Sequence, residues 1–382
     1  MKVAIIHPWF FDSDGANKVV DALAEMYPNA ELFNFFADRD CVPPHVELRR
    51  THFSVLQSLL GNSFREKRTY FMRLFPWLVK NMDLKEYDLV FSSCGIAVMG
   101  ARVRPDAVHV TYVHTPQRDC WDLYARRQAN RSWVKRTVHA ASATYVKTWE
   151  LSAIQRVDHI VSNSRYIQHR VMKYFRRSST VIYPPVNTTM GYLAKEPEDY
   201  YLSLSRLDRE KKIDVLIAAC NEMKRLLLIG GSGPEEARLK AIAGPTVRFL
   251  GRVTEDALPH LYAHCRAFLF AADEDFGIAP VEAQAFGRPV VAYGHGGCLE
   301  TVRVDDANGQ SNSGVFFSEQ TPAAVMDAIQ RFEAIEHTFL PVEIQQHARQ
   351  FDKSVFMKNM FAFVDSALKQ KSARSAGQKA IE

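Results

Sequence analysis

The chain has 382 residues, with 48 basic and 43 acidic side chains and a formal net charge of +5. Its 47% hydrophobic and 24% charged content is that of an ordinary globular protein long enough for two domains, which excludes a disordered or fibrous chain. No uncharged apolar run reaches the roughly 18–20 residues that span a bilayer, and six dispersed cysteines point to reduced thiols in a cytoplasmic protein.

In chain order, apolar strand-like runs alternate with helical patterns. Val3–His7 reads as a strand, ended by Pro8 and too short for a signal-peptide core, and Gly15–Tyr27 as a helix with Val19, Val20, Leu23 and Met26 on one face. Further strands are expected at Glu31–Phe36, Leu89–Ser92 and His109–His114. The second half repeats the rhythm, with strands predicted at Tyr201–Ser205, Arg225–Ile229, Val247–Leu250, Ala267–Phe270 and Pro289–Tyr293 and helices between them. Short continuous apolar strands separated by helices imply α/β domains with parallel sheets covered on both faces. The pattern therefore predicts two doubly wound, Rossmann-like domains. The pair Pro184-Pro185 suits an extended linker between a first domain at 1–185 and a second at 186–352. Residues 353–371 read as a helix that returns to the first domain, and 372–382 as a disordered polar tail.

Charge is unevenly placed. Residues 1–190 hold 26 basic and 17 acidic side chains, so all of the positive excess lies in the first half. Arg49–Lys80 carries seven cations and one acid, with Phe64, Tyr70, Phe71, Phe75 and Trp77 among them, and Arg126–Lys147 carries six cations and no acid. Cations interleaved with aromatics suit peripheral attachment to an anionic membrane surface. No nucleic-acid-binding module accompanies them.

Doubly wound sheets bind ligands at the carboxyl ends of their strands, so the segments following strands are the places to look for chemistry. Ser203-Leu-Ser-Arg206-Leu-Asp-Arg-Glu-Lys211-Lys212 leaves a strand and enters a helix, and its cations could neutralise a diphosphate. In Ala272-Asp-Glu274-Asp-Phe276-Gly277-Ile278-Ala-Pro-Val-Glu282, two acids flank a helix start whose free N–H groups favour polar oxygens, and a carboxylate can accept from two sugar hydroxyls at once. Gly230-Gly231-Ser-Gly-Pro234 is a tight strand-to-helix turn able to pack on a nucleotide, and the turn Asp12–Ala16, with Gly15, is a second anion-facing candidate. His114 ends a strand, and Pro116 fixes the turn after it. Taken singly, each segment also reads as a capping loop, a charged turn or a strand-end histidine bonded to backbone. Asp273–Asp275 are explained by the helix start, and no ligand-spaced group is expected to hold a metal.

Taken together, these residues resemble the retaining glycosyltransferases of family 4, whose GT-B fold places two Rossmann-like domains facing a cleft. Ser164-Arg-Tyr166, Val181–Val186, Ser205-Arg-Leu…Lys211, Gly231-Ser-Gly-Pro234 and Glu274…Glu282 occur in the family's order, and His114-Thr-Pro…Trp121-Asp122 is similar to a branch with bacterial polysaccharide mannosyltransferases. The resemblance implies that Arg206 and Lys211 hold the diphosphate of a nucleotide-sugar and Glu282 its ribose hydroxyls. It implies that Glu274 contacts the donor sugar, that backbone groups of Phe276, Gly277 and Ile278 fix sugar and phosphate, and that His114 reaches the transferred sugar. Two departures stand out: Ala16 follows Gly15 where the family has two glycines, and Lys212 stands where glycine is common. The implied activity is retaining transfer of a hexose, with no cofactor, no metal and no protein nucleophile. GDP-mannose is the expected donor, and a lipid-diphosphate-linked oligosaccharide the expected acceptor, at the inner face of the cell membrane. A UDP-hexose-dependent enzyme or a catalytically silent nucleotide-sugar-binding protein on the same scaffold are the alternatives.

Overall fold

The computed structural model describes residues 1–11, 15–54, 57, 74–94, 98–129, 132–304 and 312–379. Two compact units form, one from Met1–Pro185 with Phe356–Glu382 and the other from Val186–Val355.

The first unit contains strands β1 (Val3–Phe10), β2 (Glu31–Ala37), β3 (Thr51–Phe53), β4 (Leu89–Cys94), β5 (Val108–Val113), β6 (His159–Ser162) and β7 (Thr180–Val181). They pair in the order β3-β2-β1-β4-β5-β6-β7, parallel throughout. Order reverses between β1 and β4, the switch point at which doubly wound sheets open a crevice. The second unit contains β8 (Tyr201–Leu204), β9 (Leu227–Gly230), β10 (Val247–Gly251), β11 (Ala267–Phe270), β12 (Val290–Tyr293) and β13 (Gly314–Phe317). Its order, β10-β9-β8-β11-β12-β13, is again all parallel and reverses between β8 and β11.

Burial explains the apolar runs. Each sheet has an apolar cluster on both faces, so strands such as Tyr201–Leu204 are covered on both sides and show no alternation. β1 runs three residues past the expected His7. Its pairing with β4 stops at Ile6, so the missing N–H of Pro8 interrupts no bond on that side.

The last helix, Lys353–Lys379, places Phe356, Met360, Val364 and Ala367 in the cluster that also holds Val3, Ile5 and Phe91 of the first unit. Phe356, Met360 and Val364 each contribute about 1.5–3 kcal/mol when fully buried. Lys371 adds an ion pair to Asp158 at 3.0 Å. Residues 372–379, expected as a disordered tail, instead continue this helix. Polarity alone does not end a helix, and Ala373, Arg374 and Ala376 are strong helix formers with no proline among them.

Two buried histidines, His7 and His109, and the half-buried His114 make the first unit sensitive to acid. Desolvation holds His7 and His109 at about 4 and His114 at about 3, so all three stay neutral in the fold while the unfolded chain protonates them near 6.5. Wholly buried Glu150 acts in the opposite sense, because burial raises it to about 7 and the fold binds its proton first. Between about pH 6 and 5 the unfolded state therefore binds roughly two more protons than the native one at these four groups. Stability should fall there by up to about 3 kcal/mol per pH unit. Calorimetric Tm values between pH 7.5 and 5 check this, and a flat profile would show that these histidines are solvated.

Candidate active site

In the second unit three of the loops at the carboxyl edge of the sheet, those after β8, β9 and β11, carry the residues singled out by the sequence. The first begins at Ser205. Leu207 is fully buried and anchors it, its N–H donating to the Ser232 carbonyl at 2.9 Å and its own carbonyl accepting from the Glu235 N–H at 3.0 Å. Arg206 Nε pairs with the Asp208 carboxylate, and the short turn Arg209–Lys211 leads to Lys212. Lys212 has φ +55° and ψ +35°, the left-handed conformation that glycine adopts without a Cβ penalty. The chain thus keeps the turn that glycine would make, at a local cost of about 1–2 kcal/mol.

Gly231, after β9, has φ +130°, and a Cβ there would collide with the Ser205 carbonyl oxygen. Its N–H donates to the Gly251 carbonyl at 2.7 Å. The glycine-rich turn is therefore taken up in close packing on the Ser205–Leu207 loop, and its effect on a ligand would be to position Arg206.

The third loop carries Asp273, Glu274 and Asp275, all half-buried, then buried Phe276 and Gly277. Gly277 takes φ +88°, which turns the chain into the helix Ile278–Ala285; no side chain caps that helix start. The Glu274 carbonyl accepts the Gly297 N–H at 2.8 Å, and Asp273 meets His295 Nδ1 at 2.9 Å, so the loop after β12 holds the acidic loop in place. Phe276 sets its ring edge-on to Phe351, 5.5 Å between centroids.

Lys211 and Glu274, 63 residues apart, form an ion pair between the loops after β8 and β11. It brings a cation, a carboxylate and a helix N-terminus together at the β8/β11 switch point. Glu282, in the second turn of the helix, accepts the Tyr262 hydroxyl at 2.8 Å. Tyr262 is buried, and burial beside that carboxylate holds its phenol well above the ordinary value, so it stays a donor. Nothing in the local spacing singled out Tyr262, twenty residues from its partner.

In the first unit Gly15 opens the helix Gly15–Met26 after β1, while Asp12–Asp14 lie outside the described residues. So do most of Arg49–Lys80, including Arg65, Lys67 and Arg68. His114 follows β5. Its Nε2 lies 2.8 Å from Ser93 Oγ, which lies 3.1 Å from His7 Nδ1, and its carbonyl accepts from Asn163 Nδ2 at 3.0 Å. One hydroxyl hydrogen serves two imidazoles, so Ser93 donates to one ring and accepts from the other, coupling their tautomers. Both rings are neutral, and His114 is suited to donate or accept a hydrogen bond, not to supply charge. Trp121 and Asp122 act differently. Trp121 Nε1 donates to Glu150 at 2.8 Å, its ring stacks on Tyr174 at 4.8 Å, and Asp122 takes bonds from Arg170 and Tyr174. These contacts clamp the segment after His114.

The sequence matches the family described as Glycosyltransferase Family 4 over residues 13–190 and that described as Glycosyl transferases group 1 over 188–351. Among curated relatives, an alpha-1,3/1,6-mannosyltransferase ALG2 from Kluyveromyces lactis is 24% identical, the match covering 79% of this chain and 71% of that protein. The O-antigen chain mannosyltransferase RfbU of Salmonella typhimurium is 26% identical over 36% of this chain and 43% of its own length. The crystal structure of Anabaena HepE in complex with UDP and glucose superposes with a TM-score of 0.68 at 17% identity, covering 96% of this chain and all of that one. With two switch-point sheets, both family matches in order and this shared architecture, the chain belongs to the GT-B glycosyltransferases of the family 4 kind.

Proposed function

We propose that the protein transfers mannose from GDP-mannose, with retention, to a lipid-diphosphate-linked oligosaccharide. The observation that carries the reading is the convergence of Lys211, Glu274 and the N-terminus of Ile278–Ala285 at one sheet edge, with Arg206 on the adjoining loop. Departure of a nucleoside diphosphate develops negative charge, which cations and free N–H groups stabilise. In this reading Arg206 and Lys211 face the diphosphate and Glu282, oriented by Tyr262, takes the ribose hydroxyls. Glu274 and the backbone of Phe276, Gly277 and Ile278 hold the sugar. Glu274 is already engaged by Lys211, which suits a hydroxyl acceptor better than a nucleophile, so attack comes from the acceptor hydroxyl on the face the leaving phosphate vacates.

The mannosyltransferase relatives favour mannose, and the UDP and glucose bound to HepE favour a second reading, a UDP-hexose donor. A donor panel assayed for transfer and nucleotide release in excess EDTA separates them. GDP-mannose should be the preferred substrate and EDTA should leave its rate unchanged. Preference for a UDP-hexose would move the donor assignment, and activity lost to EDTA and restored by Mg²⁺ would overturn the metal-free mechanism.

An anionic membrane surface is the proposed second partner. No helix among the described residues is long and apolar enough to cross a membrane. The first unit instead has a cavity of about 370 Å³ lined by Lys80, Arg102, Arg156, Tyr145 and Trp149, with no carboxylate in its described lining. Trp133 is 79% exposed on the helix Trp133–Ile154, which also exposes Val134 and Val138. Each cation contributes about 1 kcal/mol near an anionic leaflet. The double variant Lys80→Glu/Arg102→Glu should lose most co-sedimentation with anionic liposomes at low salt. Equal recovery of variant and wild type, or equal recovery on neutral liposomes, would leave a soluble acceptor as the better reading.

A further inference from the structure

We propose that Glu198, His260 and His264 form a surface binding site for a borderline transition-metal dication of the Zn²⁺ class. The expectation that the chain has no ligand-spaced group is corrected here. His260 and His264 stand four apart on the helix Leu258–His264, the spacing that puts two side chains on one helix face. Their rings lie parallel, 4.3 Å between centroids and 16° between planes. Glu198 Oε1 is 3.6 Å from His264 Nδ1, and one ligand atom from each of the three residues lies within 4.8 Å of the others. Ligands around a tetrahedral Zn²⁺ bound at about 2.1 Å sit roughly 3.4 Å apart, so modest side-chain rotations close the site.

The site is preorganised through backbone. The Glu198 N–H donates to the carbonyl of His264 itself at 2.7 Å, which fixes the carboxylate-bearing residue to the end of the helix that carries both imidazoles. Two imidazoles and one carboxylate, with water completing the shell, suit Zn²⁺, Co²⁺ or Ni²⁺ and not the all-oxygen preferences of Mg²⁺ or Ca²⁺. Glu198 precedes β8 and His264 precedes β11, which places the cluster at the amino edge of the second sheet. The candidate phosphate and sugar residues follow those same strands at the carboxyl edge. A metal held here would staple the segment before β8 to the helix carrying Tyr262, the partner of Glu282, without touching the leaving group. Its occupancy is thus separable from the proposed metal-free transfer.

The test is calorimetric titration of the EDTA-dialysed full chain with Zn²⁺ in excess Mg²⁺, and with Co²⁺ for its visible spectrum. The described residues bring together a second such group, Asp21, Glu25 and His45, so His45→Ala serves as the control. Wild type should bind Zn²⁺, and His260→Ala, a change at an exposed position, should remove one equivalent or weaken it by more than about tenfold. Glu198→Gln should weaken the same equivalent, His45→Ala should leave it, and bound Zn²⁺ should raise Tm in wild type but not in His260→Ala. Absence of Zn²⁺ binding, binding unchanged in His260→Ala, or an equivalent lost only with His45→Ala would each overturn the site.

Discussion

Replacing Lys211 by alanine should lower kcat/KM on the order of 10²-fold, about 2.7 kcal/mol of transition-state stabilisation, and weaken nucleoside diphosphate binding. Two charges 4 Å apart interact by about 4 kcal/mol at an effective dielectric constant of 20, so a loss of this size needs only part of one such contact. Exposure ranks the two cations. The Lys211 side chain is 24% exposed and that of Arg206 is 52% exposed, so water screens Arg206 more and Arg206→Ala should cost less, between about tenfold and 10²-fold. Arg209, in the same turn and exposed, is the control for a general loss of positive charge, and Arg209→Ala should stay near wild type. Steady-state transfer kinetics with calorimetric binding of the nucleoside diphosphate measure all three. Wild-type rates in folded Lys211→Ala and Arg206→Ala would remove the phosphate role from this loop.

The features legible in the sequence are those written in local pattern. Runs such as Leu227–Gly230 and Val290–Tyr293 announce buried strands because both faces are covered, and Pro184-Pro185 marks a chain that cannot stay in a helix or central strand. Strand ends then point to Arg206, Glu274 and His114 as residues at carboxyl edges. What pattern could not supply is the partner across the fold. Ser93 sits 86 residues from His7 and 21 from His114, yet its single hydroxyl joins them. Glu282 reads as a ribose ligand, but the buried Tyr262 that orients it lies on another helix. Trp121-Asp122 carries the family resemblance, and only the contacts with Glu150, Arg170 and Tyr174 reveal a clamp. The helix running to Lys379 was hidden for a different reason, since composition marks a polar segment as readily as a disordered one.

Glu274→Gln should change binding and turnover in opposite directions. Glu274 and Lys211 are each other's partner in the structure, so the carboxylate offsets the ammonium that the proposed function assigns to the diphosphate. Glutamine keeps the size and the acceptor oxygen of the side chain, and the loop stays tied through the Glu274 carbonyl to the Gly297 N–H. The variant therefore removes one negative charge from beside Lys211 without freeing the loop. A diphosphate arriving at Lys211 no longer competes with a carboxylate, and binding of the nucleoside diphosphate alone should tighten several-fold, up to about tenfold. Turnover should fall nonetheless. A hydrogen bond to a charged acceptor contributes about 1.5–3 kcal/mol, so exchanging the carboxylate for an amide at the sugar hydroxyls should lower kcat/KM by about 10–10²-fold. In the Lys211→Ala background the tightening should vanish, because no ammonium remains to be released, and the double-mutant cycle isolates that coupling. If Glu274→Gln instead weakens the nucleoside diphosphate as much as Lys211→Ala does, with no coupling between them, the pair acts as a strut joining the loops after β8 and β11. The diphosphate and sugar contacts would then have to be sought on other residues of that edge.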